Sequence, residues 1–120
     1  LGTTPFEKAQ IQQWARQVEF GLFMQVGMCF QHSTGYFKDR MTPVPEFGKE
    51  AGKNAAKFLK LLERRLADNT YICGESFSLP DIIALCAIDF ARVIDIRIPA
   101  EFTNLQRWYE SVSSRPSAKA

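Results

Sequence analysis

The chain has 120 residues, with 15 basic and 13 acidic side chains, a net charge of +2 and an apolar fraction of 46%. That length suits a single domain built on one core, so residues 1–120 are read as one unit. The ordinary balance of apolar and charged residues excludes disordered, fibrous and disulfide-scaffold classes, and so small and evenly spread a charge offers no nucleic-acid surface.

From position 5 to about 31 no proline follows Pro5, which suits a first helical turn because its missing N–H is not needed there. Phe6, Ala9, Ile11, Trp14, Ala15, Val18, Leu22, Val26 and Phe30 recur mostly at steps of three and four, which predicts one long helix with a broad buried stripe. Gly21 and Gly27 are costly inside a helix, and mark either a bend or a close approach by another backbone. At 32–46 the period fails and Gly35, Pro43 and Pro45 bring turn chemistry, so this is a connection. The period returns over 45–68, with Ala51, Ala55, Phe58, Leu59, Leu62 and Leu66 on one side and lysines elsewhere: an amphipathic helix. Residues 70–73 could be briefly extended.

Phe77-Ser78-Leu79-Pro80-Asp81-Ile82 specifies a helix start. Ser78 is placed to cap the new helix, Asp81 to return a hydrogen bond to the amide of Ser78, and Phe77 and Ile82 to form a hydrophobic staple across the cap. The run 82–88 is apolar on every side, which predicts a central helix enclosed by others. A last helix over 103–114 places Leu105, Trp108, Tyr109 and Val112 on one face. Four main helices with short extras make an all-α bundle.

Much chemistry is missing. His32 is the only histidine and has no nucleophile paired to it by a motif, so it reads as structural; no metal-binding, zinc or phosphate-loop motif occurs. Glu19, Asp89 and Asp95 lie near apolar segments and read as helix-surface or capping carboxylates. Cys29, Cys73 and Cys86 form no C-x-x-C pair and sit among apolar neighbours, as buried free thiols of a cytoplasmic protein do. No apolar run nears the roughly 20 residues of a membrane span, and no secretory signal opens the chain. It starts at Leu1 rather than Met, which points to a natural protein that begins further upstream.

Tyr71-Ile72-Cys73-Gly74 followed by Ser76-Phe77-Ser78-Leu79-Pro80-Asp81-Ile82 resembles the cap segment of glutathione transferase C-terminal domains. Three further matches lie in the family's order: 7–14, ending in Gln13-Trp14; Leu59, Leu62, Glu63 and Leu66 as L-x-x-L-E-x-x-L; and Asn104, Leu105 and Trp108 with Arg115-Pro116. Pro80 replaces a common alanine, and Gln12 stands where some classes carry an acidic residue that reaches glutathione across the dimer. The resemblance implies that Ser78 and Asp81 are a structural cap, and that the thiol-activating residue belongs to an N-terminal thioredoxin-like domain with no counterpart in these residues. It also implies glutathione as the co-substrate of the parent protein, a hydrophobic electrophilic acceptor and a homodimer, with no metal and no catalytic residue here.

The same resemblance places the first helix along a cleft facing the absent domain. Helical spacing from Gln12 then gives Arg16, Phe20, Phe23, Met24 and Gly27 as the cleft-facing set, joined by Phe37 from the connection. Arg16 is the expected anion partner. The alternative is a non-enzymatic docking module, as transferase-like domains are in some translation and stress-response proteins.

Overall fold

A capping box at Thr4 starts the first helix: the Thr4 hydroxyl accepts the Glu7 amide over 3.1 Å, and Glu7 Oε1 accepts the Thr4 amide over 3.0 Å. In the computed structural model, which describes residues 2–119, α1 (Pro5–Val18) runs through a π-helical turn (Glu19–Phe23) into α2 (Met24–Thr34). The single long helix expected over 5–31 therefore continues to Thr34. It ends at Gly35, whose φ of 67° is the left-handed conformation that glycine adopts without a Cβ penalty.

The widened turn is held from the side. Gln25 donates its amide to the Phe20 carbonyl over 3.3 Å and accepts from Asn54 over 3.3 Å, tying the turn to α3 (Pro45–Leu66). At Gly21, within the π-helical turn, the close approach is by a side chain and not by a backbone: the ring of Phe58 lies against it, and an added Cβ would fall 2.6 Å from Phe58 Cε1. Gly48 and Gly52 of α3 let α2 come equally near: Cβ atoms there would meet the Ser33 backbone nitrogen at 3.0 Å and Cys29 Sγ at 3.2 Å. The amphipathic reading of α3 holds, with Ala51, Ala55, Leu59, Leu62 and Leu66 buried.

Helix α4 (Leu79–Ala91) buries Ala84, Ala87, Ile88 and Ala91, yet Ile82, Cys86 and Phe90 on its other side are exposed. It is therefore not enclosed all round: uniform apolarity here serves one buried face and one open one. The same open face explains why Cys86 is exposed, while Cys73 is half-buried and only Cys29 is buried as expected. A 3-10 turn (Arg92–Ile94) closes on Asp95, at φ 60°, followed by α5 (Thr103–Ser113) and the short α6 (Pro116–Lys119). Four main helices result, counting α1, the π-turn and α2 as one. The expected extended stretch is a single bridge in which Tyr71 and Gly74 exchange hydrogen bonds of 2.7 and 3.0 Å.

Two polar knots lock the helices together. Asp81 has no exposed surface and accepts three hydrogen bonds: from the amides of Ile72 (3.0 Å) and Ser78 (2.9 Å) and from the indole of Trp108 (2.8 Å). The Ser78 hydroxyl stands in the capping-box position toward the Asp81 amide without making a hydrogen bond to it. Its oxygen is the buried side-chain atom left unpartnered among the described residues, and the Asp81 amide bonds the Ser78 carbonyl at 3.0 Å. The cap thus works mainly through the carboxylate. The expected staple is looser than the spacing suggested, since Ile82 is exposed while Phe77 packs on Tyr71 and under Arg115.

The second knot joins α3 to α5, whose N-cap position is held by Phe102 and offers no side-chain acceptor. Glu63 fills that role from α3, accepting from the Leu105 amide (2.8 Å) and the Asn104 side chain (2.7 Å). In return Arg107 of α5 donates to the carbonyls of Leu66 (2.9 Å), the last residue of α3, and of Asn69 (3.1 Å) just beyond it.

Candidate functional site

Where α2, the connection and the end of α4 meet, an open cavity of about 640 Å³ is left, within the roughly 300–1,000 Å³ typical of small-molecule sites. Phe23, Val26, Gly27, Phe30 and Gln31 line it from the long helix at steps of three, four, seven and eight, the spacing of one helix face. Tyr36 and Phe37 arrive from the connection, and Ala87, Phe90 and Val93 from α4 and the turn after it. No charged side chain is among these residues.

Aromatic packing shapes this wall. Phe30 lies at its centre, with ring centroids 5.5 Å from Tyr36, 6.2 Å from Phe37 and 5.2 Å from Phe90, while Tyr36 and Phe37 meet edge to face at 4.9 Å. Such tilted and edge-to-face arrangements leave both ring faces and ring edges available to a ligand. The connection is pinned across the gap by His32, whose Nδ1 accepts the Val44 amide over 2.9 Å and whose ring stands edge-on to Phe47. His32 therefore holds the segment that carries Tyr36 and Phe37.

The expected site residues divide. Phe23, Gly27 and Phe37 come together in the cavity; Arg16, Phe20 and Met24 are not part of its lining. For Arg16 the reason is axial, since at 1.5 Å rise per residue it sits roughly 10 Å up the helix from Phe23; Met24, one residue after Phe23, is instead turned away by the roughly 100° step of a helix. Its guanidinium is engaged with Glu19 (3.1 Å) and Gln12 (3.3 Å), and Phe20 is exposed. For Arg16 and Phe20, spacing from Gln12 extended the face toward the N-terminus, whereas the cavity is lined from Phe23 onward. Phe30, Tyr36, Phe90 and Val93 were missed. For Phe30 the signal existed, since it lies three residues beyond Gly27; Phe90 and Val93 needed the tertiary contact between α2 and α4.

Elsewhere the titratable groups have structural explanations. Burial pushes the Asp81 carboxyl above its ordinary value despite its three donors. Burial also raises the Cys73 thiol, which makes it a poor nucleophile. The hydrogen bond from Tyr109 to Asp89 (2.5 Å) raises the Tyr109 phenol. Hydrogen bonds from Thr3 and Thr4 lower Glu7 to about 2. Glu19 and Asp95 pair with Arg16 and Arg97 at the surface, in keeping with their reading as surface carboxylates. Among the described residues, no cluster of three or more His, Cys, Asp or Glu could hold a metal ion, and no helix is long and apolar enough to cross a membrane.

Residues 28–116 match the family described as glutathione S-transferase, C-terminal domain. The chain belongs to that family. Among curated relatives, glutathione S-transferase 2 of Saccharomyces cerevisiae is 28% identical over 120 residues, covering 98% of this chain and 52% of the yeast protein. Probable elongation factor 1-gamma 1 of Arabidopsis thaliana is 30% identical over 118 residues, covering 97% of this chain and 28% of the plant protein.

The solved structure of Gtt2 from Saccharomyces cerevisiae superposes with a TM-score of 0.93 at 28% identity, over 98% of this chain and 58% of that one. A glutathione S-transferase domain-containing protein of Marinobacter aquaeolei VT8 gives 0.92 at 31% identity, over the same shares. The chain thus spans about half the length of the transferases it matches. In this transferase C-terminal domain the cap segment, the Glu63 helix and the Trp108 helix, singled out as family motifs, are the elements joined by the two polar knots.

Proposed function

We propose that this domain supplies the acceptor side of a glutathione transferase active site, and that the aromatic cavity holds the hydrophobic electrophile. The observation that carries this reading is the cavity itself: about 640 Å³, partly open, and lined without a single charged side chain. Such a wall would shelter an apolar electrophile from water, but it has nothing to grip the carboxylates of glutathione. Glutathione, as co-substrate, would be held and its thiol activated by an N-terminal thioredoxin-like domain, with no catalytic residue here. Phe23 and Phe37 would touch the acceptor. Exposed apolar side chains such as Phe20, Met24, Ile82 and Cys86 would be covered in the whole protein by that domain or by the partner subunit of a cytoplasmic homodimer. Arg16, paired with Glu19 and Gln12 away from the cavity, would not touch the acceptor there.

A conjugation assay on the complete natural protein tests the reading, with glutathione and 1-chloro-2,4-dinitrobenzene. Turnover is expected, with KM for the electrophile raised about tenfold or more by Phe37→Ala and Phe90→Ala together and KM for glutathione unchanged. Unchanged kinetics in that variant would move the acceptor elsewhere. These 120 residues alone are expected to give no turnover.

The elongation factor 1-gamma relatives favour a second reading, a non-enzymatic docking module. Absence of turnover in the complete protein, together with its elution as a defined hetero-complex, would select it.

A further inference from the structure

We infer that Gly27 sets the size limit of the aromatic cavity, and that among uncharged aromatic molecules the cavity prefers those carrying two or more fused rings over single-ring ones. The inference rests on reading the cavity as the acceptor site and adds its selectivity.

Glycine is unfavourable in a helix interior, and it is usually explained by a left-handed conformation or by a neighbouring atom that leaves no room for a Cβ. Neither applies to Gly27. It lies within α2 without a positive φ, and a Cβ built on it would meet nothing within 4 Å. The other glycines of the long packing interface behave differently: Gly21, Gly48 and Gly52 each have an atom from a neighbouring helix at 3.2 Å or nearer. Gly27 alone among these four lines the cavity. What its missing side chain leaves open is ligand space.

The ligand class follows from the rest of the lining. Phe23, Phe30, Phe37 and Phe90 offer edges and faces to a flat ring system, and the polar groups are confined to Gln31 and the Tyr36 hydroxyl. An ion entering there would lose its hydration with no opposite charge in the lining, whereas a neutral ring loses little. Arg40 stacks over Phe37 with its guanidinium carbon 5.9 Å from the ring centroid, but is itself exposed and not part of the lining.

Direct binding to the complete natural protein tests this, read by fluorescence for 1-naphthol, 9-anthracenemethanol and 1-naphthalenesulfonate and by calorimetry for benzyl alcohol. The neutral two- and three-ring compounds are expected to bind more tightly than benzyl alcohol, and 1-naphthol about tenfold or more above the sulfonate. Gly27→Leu should weaken anthracenemethanol by about tenfold or more while moving benzyl alcohol by no more than about threefold. Gly27→Ala, which suits a helix, should raise the melting temperature and still weaken anthracenemethanol, so loss of binding is separated from loss of fold. If both variants bind all four compounds as the wild type does, Gly27 is not the limit. If the sulfonate binds as tightly as naphthol, the uncharged class is wrong. Failure of every ring compound to bind the wild type would instead overturn the acceptor-site reading, and the inference with it.

Discussion

The indole N–H of Trp108 on α5 donates to Asp81 Oδ1 at the start of α4 over 2.8 Å, and both residues are without exposed surface. Asp81 is thereby the common acceptor for α5, for the 71–74 turn through Ile72 and for its own helix cap through Ser78. Asp81→Ala would leave three buried donors unpaired, at about 1–3 kcal/mol each, so a loss of at least about 3 kcal/mol is expected in urea unfolding. Trp108→Phe removes one donor and leaves Oδ1 bonded to Ile72, so it should cost less. An alanine variant within about 1 kcal/mol of wild type would refute the role given to this carboxylate.

The two glycines of the long helix should respond with opposite signs. At Gly21 an alanine methyl would press into the Phe58 ring, and overpacking of this kind costs about 1–3 kcal/mol. At Gly27 the methyl meets open space, and relief of the glycine penalty should stabilise by up to about 1 kcal/mol. Thermal melts of the two single variants decide, and Phe58→Leu should recover part of the Gly21→Ala loss.

Removing Glu63 should loosen a helix to which it does not belong. Glu63→Ala takes the acceptor from the first turn of α5, an effect of about 1–2 kcal/mol by analogy with ordinary N-caps. Helical content lost on this substitution should map to 103–113 by NMR chemical shift, with the body of α3 unchanged.

Acid titration should reveal two carboxylates pulling in opposite directions. Glu7 is lowered to about 2 by Thr3 and Thr4, so its contribution is present above its unfolded value of 4.5 and is lost as pH falls through about 2. Asp81 is raised by burial above 3.8, so its folded form holds a proton more tightly than the unfolded chain. Its contribution is full below 3.8 and is lost as pH rises through the elevated folded value. Glu7→Gln should flatten the rise in stability between pH 2 and 4.5, and Asp81→Asn should remove a fall that sets in above 3.8. Unfolding free energies measured at half-unit pH steps would show either slope, or its absence.

The helices were legible because their signals are local: Pro5, the period of the apolar residues and the cap at 78–81 act within a few turns. The carboxylate of Asp81 was legible as a cap, but its third donor, Trp108, lies 27 residues away and no local pattern announces it. The open face of α4 was missed for a related reason. Apolarity on every side cannot distinguish burial beneath other helices from a surface left for another body, and Ile82 and Cys86 show the second outcome. At the cavity, Phe23, Gly27 and Phe37 followed from helical spacing and the resemblance, while Phe90 and Val93 depend on how α4 crosses α2.

The exchange of end groups between α3 and α5 bears on how the domain opens. Amides of the first turn of α5 are held by Glu63, and the Leu66 carbonyl at the end of α3 is held by Arg107, so neither terminus can fray alone without stranding the other. In hydrogen–deuterium exchange these two ends should therefore share one opening free energy and one dependence on denaturant, as a single cooperative unit spanning residues about 40 apart in sequence.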